Sequence, residues 1–275
     1  MIALLTIQKD EPSFEEFCTW FFDVCGYDEI IFFNDGKPLE MKDDRVHQIL
    51  VKDIYHGNEQ LPKQQFCYNW WLYQNWRTRY SHVAWRDGDE RDVYPDGRKI
   101  GDLVKDFEGD FALNWCFFTS EEEPDFPKDS LCQRFCHRKR ICDRHVKPVL
   151  NLMLDRRTYP DMQAASINPH CMHSLLFKKA LPWENVFHEE CSGPWNDHLY
   201  SPSDGKPFIA HFYSQTKEDF SRKRQRGRPD CHLNDPHQFN DPFMDEELEK
   251  LWTERSEGEV FDGGLSARLK QLETT

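Results

Sequence analysis

Apolar stretches of strand length alternate with helix-length stretches over the first 120 residues, and this alternation constrains the fold more than any other feature. The segments 2–7 and 29–35 predict strands, and the segment 14–25 between them repeats its phenylalanines at helical spacing. Strands joined by helices predict a parallel sheet with helices on its faces. The pattern continues with a weak strand at 48–52, a helix at 62–80, a strand at 82–87, a short helix at 99–107 and a strand at 111–120.

Residues after 120 show a less regular pattern, and the domain boundary is predicted within them. Residues 121–129 are acidic and contain proline, which predicts a loop, while 208–214 predict one more strand. We find no internal repeat and no clear linker. We therefore expect one α/β domain over 1–230, built on a mixed, mainly parallel sheet. An acidic, partly helical C-terminal extension over 231–275 is expected to pack on this domain or to trail from it.

Composition argues against two classes of partner. The formal net charge is −14 at pH 7, and a nucleic-acid duplex calls for a basic protein face. The apolar run at 2–7 is far shorter than the roughly 20 residues that span a bilayer, so we expect no membrane insertion. This run also lacks the basic segment of a signal peptide. With its ten cysteines expected to be reduced thiols, the chain has the features of a cytoplasmic protein.

Acidic residues follow three of the predicted strands. Lys9-Asp10-Glu11 follows the first strand, Asn34-Asp35-Gly36 the second, and Asp87-Gly88-Asp89 the strand at 82–87. Ligands of open α/β sheets bind beyond the carboxyl ends of the strands. Alternate residues of an extended segment point the same way, so Asp87 and Asp89 can face one cation. Oxygen ligands favour Mn²⁺ or Mg²⁺, and such an ion would screen a diphosphate.

Other interpretations of these residues stay open. Asp-Gly-Asp is common in turns, so the acidic cluster also fits a solvated turn. A metal-dependent phosphohydrolase would use Asp87, Asp89 and Glu90. A zinc-stabilised module is a third interpretation, although the spacing of its ligands matches no standard finger. Its ligands would be Cys132, Cys136, Cys142 and His145.

Four motifs in order along residues 1–230 resemble one family. A strand followed by Lys-Asp-Glu, and a second strand ending in Asn-Asp-Gly, are similar to the nucleotide-binding half of GT-A glycosyltransferases, and Asp87-x-Asp89 resembles their DxD motif. The segments NPHCMH (168–173) and HFYSQTKEDFSRKRQRGR (211–228) resemble signatures of family 92, or DUF23-like, glycosyltransferases. The chain also resembles the small glycosyltransferases of large algal viruses, which act in the cytoplasm of the host cell.

The resemblance implies a nucleotide-diphosphate sugar donor, UDP-linked, and a glycan or glycoprotein acceptor. In the viral branch it also implies xylose as a candidate sugar. Asp87, Asp89 and His211 would hold Mn²⁺ or Mg²⁺. Further residues would contact the nucleotide sugar: Lys9, Asp10, Glu11, Asp35, Asp87, His170 and Lys217.

The chemistry of sugar transfer calls for further groups. Transfer passes through an oxocarbenium-like state, and an inverting enzyme needs a carboxylate that deprotonates the acceptor hydroxyl. One of four acids after the strand at 111–120 is predicted to be this base, although such a run also fits a solvated loop. The aromatic residues over 66–76 are expected to pack in the core, and Trp70 and Trp195 are candidates to stack on a sugar ring. The four acids are Glu121, Glu122, Glu123 and Asp125.

A basic patch follows further along the chain, and it either binds substrate or forms salt bridges. It comprises Arg138, Lys139, Arg140, Arg144, His145 and Lys147.

Overall fold

The computed structural model organises the chain around one large sheet. It describes residues 1–56, 61–75, 79–119, 130–153, 165–168, 171–174, 179–180, 182–216, 218–220, 222, 250, 253 and 258–274. The strands are β1 (Ile2–Gln8), β2 (Glu29–Asn34), β3 (Val46–Leu50), β4 (His82–Trp85), β5 (Glu90–Val93), β6 (Phe111–Phe117), β7 (His137–Arg138), β8 (Val146–Asn151), β9 (Ala165–Asn168), β10 (Cys171–Ser174), β11 (Lys179–Ala180), β12 (Pro182–Glu184), β13 (Glu190–Ser192), β14 (Phe208–His211) and β15 (Val260–Phe261). The helices are α1 (Phe14–Thr19), α2 (Val51–Ile54), α3 (Lys63–Asn75), α4 (Ile100–Leu103), α5 (Leu131–Arg134) and α6 (Gly264–Glu273).

The sheet has 10 strands and mixes parallel and antiparallel pairs. Strands β3, β2, β1 and β4 lie side by side in parallel. Strand β8 follows β4 and runs antiparallel to both of its neighbours, β4 and β6. The order continues through β12 to β13, and β14 pairs in parallel with the second half of β6. The predicted α/β class, with a mixed sheet, is confirmed. The sequence also predicts the positions of five strands: β1, β2, β4, β6 and β14.

Helices cover both faces of this sheet, and its central strands are therefore buried on both sides. In β1, Leu4 points to one core and Leu5 to the other, as the two-residue period of a strand requires. The core beneath Leu4 contains Phe17 of α1, while the core beneath Leu5 contains Tyr68 and Leu72 of α3. A continuous apolar run with this double burial is typical of strands inside α/β domains.

The helix predicted over 14–25 has a different geometry from the expected one. It is α-helical only to Thr19 and continues as a π-helical turn over Trp20–Val24. Ser13 precedes the helix, but its side chain makes no cap hydrogen bond, and Glu16 accepts from Arg91. The segment ends at Gly26, whose positive φ of 78° suits glycine.

The last described residues pack onto the domain. Strand β15 pairs antiparallel with β7, and Arg138 of β7 donates from Nε to the Asp262 carboxylate at 2.6 Å. Helix α6 contributes Leu265 and Leu269 to the core that contains Phe17. Within the described ranges, none of the helices combines the length and the apolar character needed to cross a membrane.

Candidate active site

The loops that follow β1, β2 and β4 meet at the carboxyl edge of the sheet. A Cβ atom added to Gly36 would lie 2.6 Å from Oδ1 of Asp10, so the first two loops touch. A Cβ atom added to Gly88 would lie 2.9 Å from Cδ of Gln8 and 3.1 Å from Cγ of Glu11. The three acidic segments therefore lie close together, and a side chain at position 88 would meet Gln8 and Glu11.

Asp87 is held by two side chains from different elements. Its Oδ1 accepts from Nε2 of Gln64, in the first turn of α3, at 2.6 Å. Its Oδ2 accepts from Nζ of Lys147 at 2.8 Å. Lys147 lies near the start of β8, and because β8 is antiparallel to β4, its start lies at the edge where β4 ends. Both Asp87 oxygens thus have protein partners.

A buried charge cluster surrounds Lys147. Nζ of Lys147 also lies 3.7 Å from Oε1 of Glu90, and only 1% of the lysine side chain is exposed. Burial raises the pKa of Asp87, but the charge and hydrogen bond of Lys147, together with His211, leave this pKa below its usual value. Burial lowers the pKa of Lys147, but Asp87 and Glu90 raise it by more. The pKa therefore lies above its usual value. Burial raises the pKa of Glu90 to about 8.

Asp89 meets His211 on the other side of the Asp-Gly-Asp turn. Strand β14 pairs antiparallel with β5, with His211 opposite Glu90, and the Phe212 amide donates to the Asp89 carbonyl at 2.9 Å. Nε2 of His211 consequently lies 3.5 Å from Oδ2 of Asp89, and both side chains are largely buried. The two predicted ligands come from positions more than 120 residues apart in the chain.

The Asp89–His211 pair fits part of a divalent-cation site. Magnesium and manganese ions that bind phosphates take one or two protein ligands and complete their shell with water and phosphate oxygens. The Asp89 carboxylate is an oxygen ligand of this kind, and Nε2 of His211, 3.5 Å from Oδ2 of Asp89, is close enough to contact the same cation. Among the side chains that the structure describes, no three His, Cys, Asp or Glu residues form a complete metal site. Asp87, the third predicted ligand, is engaged by Gln64 and Lys147 instead.

Two buried arginines fix the backbone around the turn. Arg91 donates to the Gly88 carbonyl at 2.8 Å and to Oε1 of Glu16, in α1, at 2.8 Å. Arg86 pairs with Asp92, and both side chains are fully buried. A buried charge that loses its partner costs free energy. Movement of the turn would break the contact between Arg91 and Gly88, so these contacts favour one conformation of the turn. Asp92 completes its contacts with hydrogen bonds from the hydroxyls of Tyr27 and Tyr94.

The loop after β2 is also anchored. The Asn34 side chain accepts from the Gly36 amide at 2.7 Å, which forms an Asx turn. Asp35 accepts from Nζ of Lys63 at 2.8 Å, and both side chains remain partly exposed. Lys63 and Gln64 open α3, so one helix end contacts the second loop and the Asp87 carboxylate.

Aromatic rings line the site beside His211. The ring of Trp115, on β6, lies 4.4 Å from that of His211 and 4.9 Å from that of His145. His145 in turn contacts Trp195, with centroids 4.1 Å apart. Trp115 is nearly buried, whereas Trp195 is 40% exposed. The rings therefore form a continuous run from the Asp89–His211 pair to the protein surface.

The predicted site residues fall into two groups, and two further residues join the site. Asp10, Glu11, Asp35, Asp87, Asp89 and His211 come together at one edge of the sheet, with Lys9 on the same loop as Asp10. Gln64 was not predicted, and Lys147 was assigned only to a basic patch. Neither has a local motif that marks its contact with Asp87. Outside the described residues lie Glu121, Glu122, Glu123, Asp125, His170 and Lys217.

Other residues of the proposed zinc module and basic patch have structural partners. Cys132, Cys136 and Cys142 are buried free thiols, and Sγ of Cys136 donates to the Gln133 carbonyl at 3.4 Å. Arg138 is tied to Asp262. Cys136 and Arg138 are thus held by contacts within the fold.

Comparison with protein-family models and with curated protein sequences gives no match to this chain.

Proposed function

We propose that the chain is a glycosyltransferase that uses a nucleotide-diphosphate sugar, UDP-linked, and inverts the anomeric centre. The sugar, with xylose as a candidate, passes to a hydroxyl of a glycan or glycoprotein. One observation carries the proposal: Asp89 and His211 meet 3.5 Å apart at the carboxyl edge of an α/β sheet, beside loops that follow β1 and β2. Nucleotide ligands of such sheets bind at this edge.

The proposal gives each loop a task. The diphosphate lies at the turn of Gly88 and Asp89, and the nucleoside lies over the loops of Asp10 and Asp35, whose carboxylates accept from its N–H and O–H groups. Lys63, bound to Asp35, balances charge at this end. A divalent cation held by Asp89 and His211 would supply positive charge to the departing diphosphate.

The sheet supports a GT-A fold as part of this proposal. The parallel strands β3, β2, β1 and β4 are followed by an antiparallel β8, and the Asp-x-Asp turn leaves the end of β4 in the expected order. The acceptor base is assigned to one of the acids over 121–125, and donor contacts to His170 and Lys217.

The phosphohydrolase alternative has less support from these contacts. That reaction would use Asp87, Asp89 and Glu90 as ligands of catalytic metals. Glu90 is fully buried, and Asp87 is bound by Lys147 and Gln64. A hydrolase would release inorganic phosphate without an acceptor, which distinguishes the two activities.

The test is thermal stability against a panel of UDP-sugars, each with and without Mn²⁺. A ligand at 100 times its dissociation constant stabilises a protein by about 2.7 kcal/mol. We expect a Mn²⁺-dependent increase in melting temperature with one UDP-sugar, which Asp89→Asn and His211→Gln abolish. Asp102→Asn, at an exposed ion pair, is the matched control. If well-folded wild-type protein responds to none of the UDP-sugars, the proposal is wrong.

A further inference from the structure

Trp195 is a large aromatic side chain held at the surface. It is 40% exposed, while Trp85 and Trp115 are buried. The guanidinium of Arg144 lies 5.0 Å from its ring centroid, and His145 contacts it edge-on at 4.1 Å. Two neighbours therefore support the ring, and a large part of it remains open to solvent.

The backbone that carries Trp195 is firmly anchored. Residues 145 and 195 form an antiparallel bridge. The Asn196 amide donates to the Arg144 carbonyl at 2.8 Å, and the Asn196 side chain donates to Oδ1 of Asn114, on β6, at 2.8 Å. Asn196 is 1% exposed. An exposed ring on a fixed backbone loses little conformational freedom when a ligand stacks on it.

Polar groups surround the exposed ring. Arg144 pairs with Asp197 at 3.0 Å, and both side chains are more than half exposed. His145 Nδ1 is bound by Asp143. A sugar ring presents C–H groups on its face and hydroxyls at its rim, so an aromatic face flanked by donors and acceptors suits a carbohydrate. The net charge of −14 disfavours a polynucleotide as the stacking partner.

The ring run connects this surface to the proposed reaction centre. Trp195 contacts His145, His145 lies parallel to Trp115 at 4.9 Å, and Trp115 contacts His211 at 4.4 Å. Trp195 therefore lies at the surface on the side of the site where Asp89 and His211 are buried.

We infer that Trp195, Arg144 and Asp197 form the acceptor subsite for a pyranose ring, which stacks on the exposed part of Trp195 on the side of the site where His211 lies. This inference rests on the proposed glycosyltransferase function, because it assigns the second substrate of the same site.

Saturation-transfer NMR of the full chain tests the subsite with defined probes. The probes are the methyl β-glycosides of glucose, galactose and xylose and methyl α-L-fucopyranoside, each titrated in the presence of UDP and Mn²⁺. We expect at least one probe to bind wild type and Trp195→Phe, and its Kd to rise about tenfold in Trp195→Ala, because one aromatic contact is lost. Tyr73→Ala removes a 59% exposed aromatic ring on α3 and is expected to leave the probe Kd unchanged.

Calorimetric titration of UDP with Mn²⁺ in the same samples separates the two proposals. UDP should bind wild type and Trp195→Ala with equal affinity within about twofold, because the loops that hold it lack Trp195. If UDP binds but none of the four probes does, or a probe binds Trp195→Ala as tightly as wild type, the subsite is overturned and the donor proposal stands. If probes bind but UDP and the UDP-sugars do not, the acceptor role falls together with the proposed function.

Discussion

Lys147 sets the charge balance of the candidate site. It is 1% exposed, and its ammonium lies 2.8 Å from the Asp87 carboxylate. Burial raises the pKa of Glu90 to about 8, so Glu90 is mainly protonated at neutral pH and leaves Lys147 to pair with Asp87. The remaining negative charge at the turn belongs to Asp89, beside His211. The two aspartates of one short motif therefore have different electrostatic roles.

Replacement of Lys147 by Met is expected to lower the free energy of unfolding by about 3 kcal/mol, because the Asp87 charge loses its partner. The double variant Asp87→Asn/Lys147→Met should recover part of the loss, since no unpaired charge remains. Urea denaturation at pH 7 measures both. Lys105→Met, at a pair that is 72% and 56% exposed, should change stability by at most about 0.5 kcal/mol. Equal losses in Lys147→Met and Lys105→Met would contradict the assigned role of Lys147.

Gly88 is constrained by its neighbours rather than by its backbone angles. The added Cβ of alanine would lie 2.9 Å from Gln8 and 3.1 Å from Glu11, so Gly88→Ala should cost about 1–3 kcal/mol of stability. The shift of these side chains should also weaken UDP binding at least tenfold in calorimetric titration.

Gly101→Ala is the matched glycine control. A Cβ atom there meets no atom within 4 Å, and the residue lies in α4, where alanine is favoured over glycine by about 0.5–1 kcal/mol. We expect equal or higher stability and unchanged UDP binding. A Gly88→Ala variant with the same behaviour would show that the turn accommodates a side chain.

At the scale of elements, strands with a simple apolar pattern could be predicted and β8 could not. Strands β1 and β2 are largely apolar runs, whereas β8 has a buried lysine, Lys147, at its second position and Pro148 at its third. Proline in a central strand argues against a strand assignment. Here Pro148 lies opposite Ala112 of β6, and Lys147 is compensated by Asp87 across the strand end, which is a tertiary contact.

The same distinction applies to the candidate site. The Asp-x-Asp turn and His211 carry local signatures, and the structure brings Asp89 and His211 together. The contacts of Gln64 and Lys147 with Asp87 depend on the packing of α3 and β8. No spacing in the sequence encodes those contacts, because they join residues 23 and 60 positions apart.

Arg91 links helix α1 to the turn after β4, so its replacement should loosen this turn. Its guanidinium binds both the Glu16 carboxylate and the Gly88 carbonyl, and a lysine lacks the planar fork that reaches both. Arg91→Lys should lose about 2–3 kcal/mol of stability and speed hydrogen exchange of the amides at 88–90. Arg45→Lys, at a half-exposed pair with Asp43, should leave exchange in this turn unchanged. Unaltered exchange in Arg91→Lys would mean that the turn is held by other contacts.

At the scale of the whole molecule, pH acts through buried carboxyls. Asp110 is 8% exposed and accepts from the Asn151 amide at 2.7 Å, which joins the loop before β6 to the end of β8. Burial raises its pKa from 3.8 to about 7, although that hydrogen bond lowers it. Near neutral pH, the folded protein therefore retains a proton that the unfolded chain loses.

Asp110→Asn tests this linkage because asparagine keeps the acceptor oxygen and removes the titration. Below pH 3.8 the carboxyl is protonated in both the folded and the unfolded state, so its ionisation does not change stability with pH. Between that pH and about 7 only the unfolded state ionises, so wild type should lose stability relative to Asp110→Asn, by up to about 4 kcal/mol. Urea denaturation of both proteins from pH 4 to 8 measures the difference, in which titrations common to both cancel. A difference that stays constant with pH would show that Asp110 ionises equally in the folded and unfolded states.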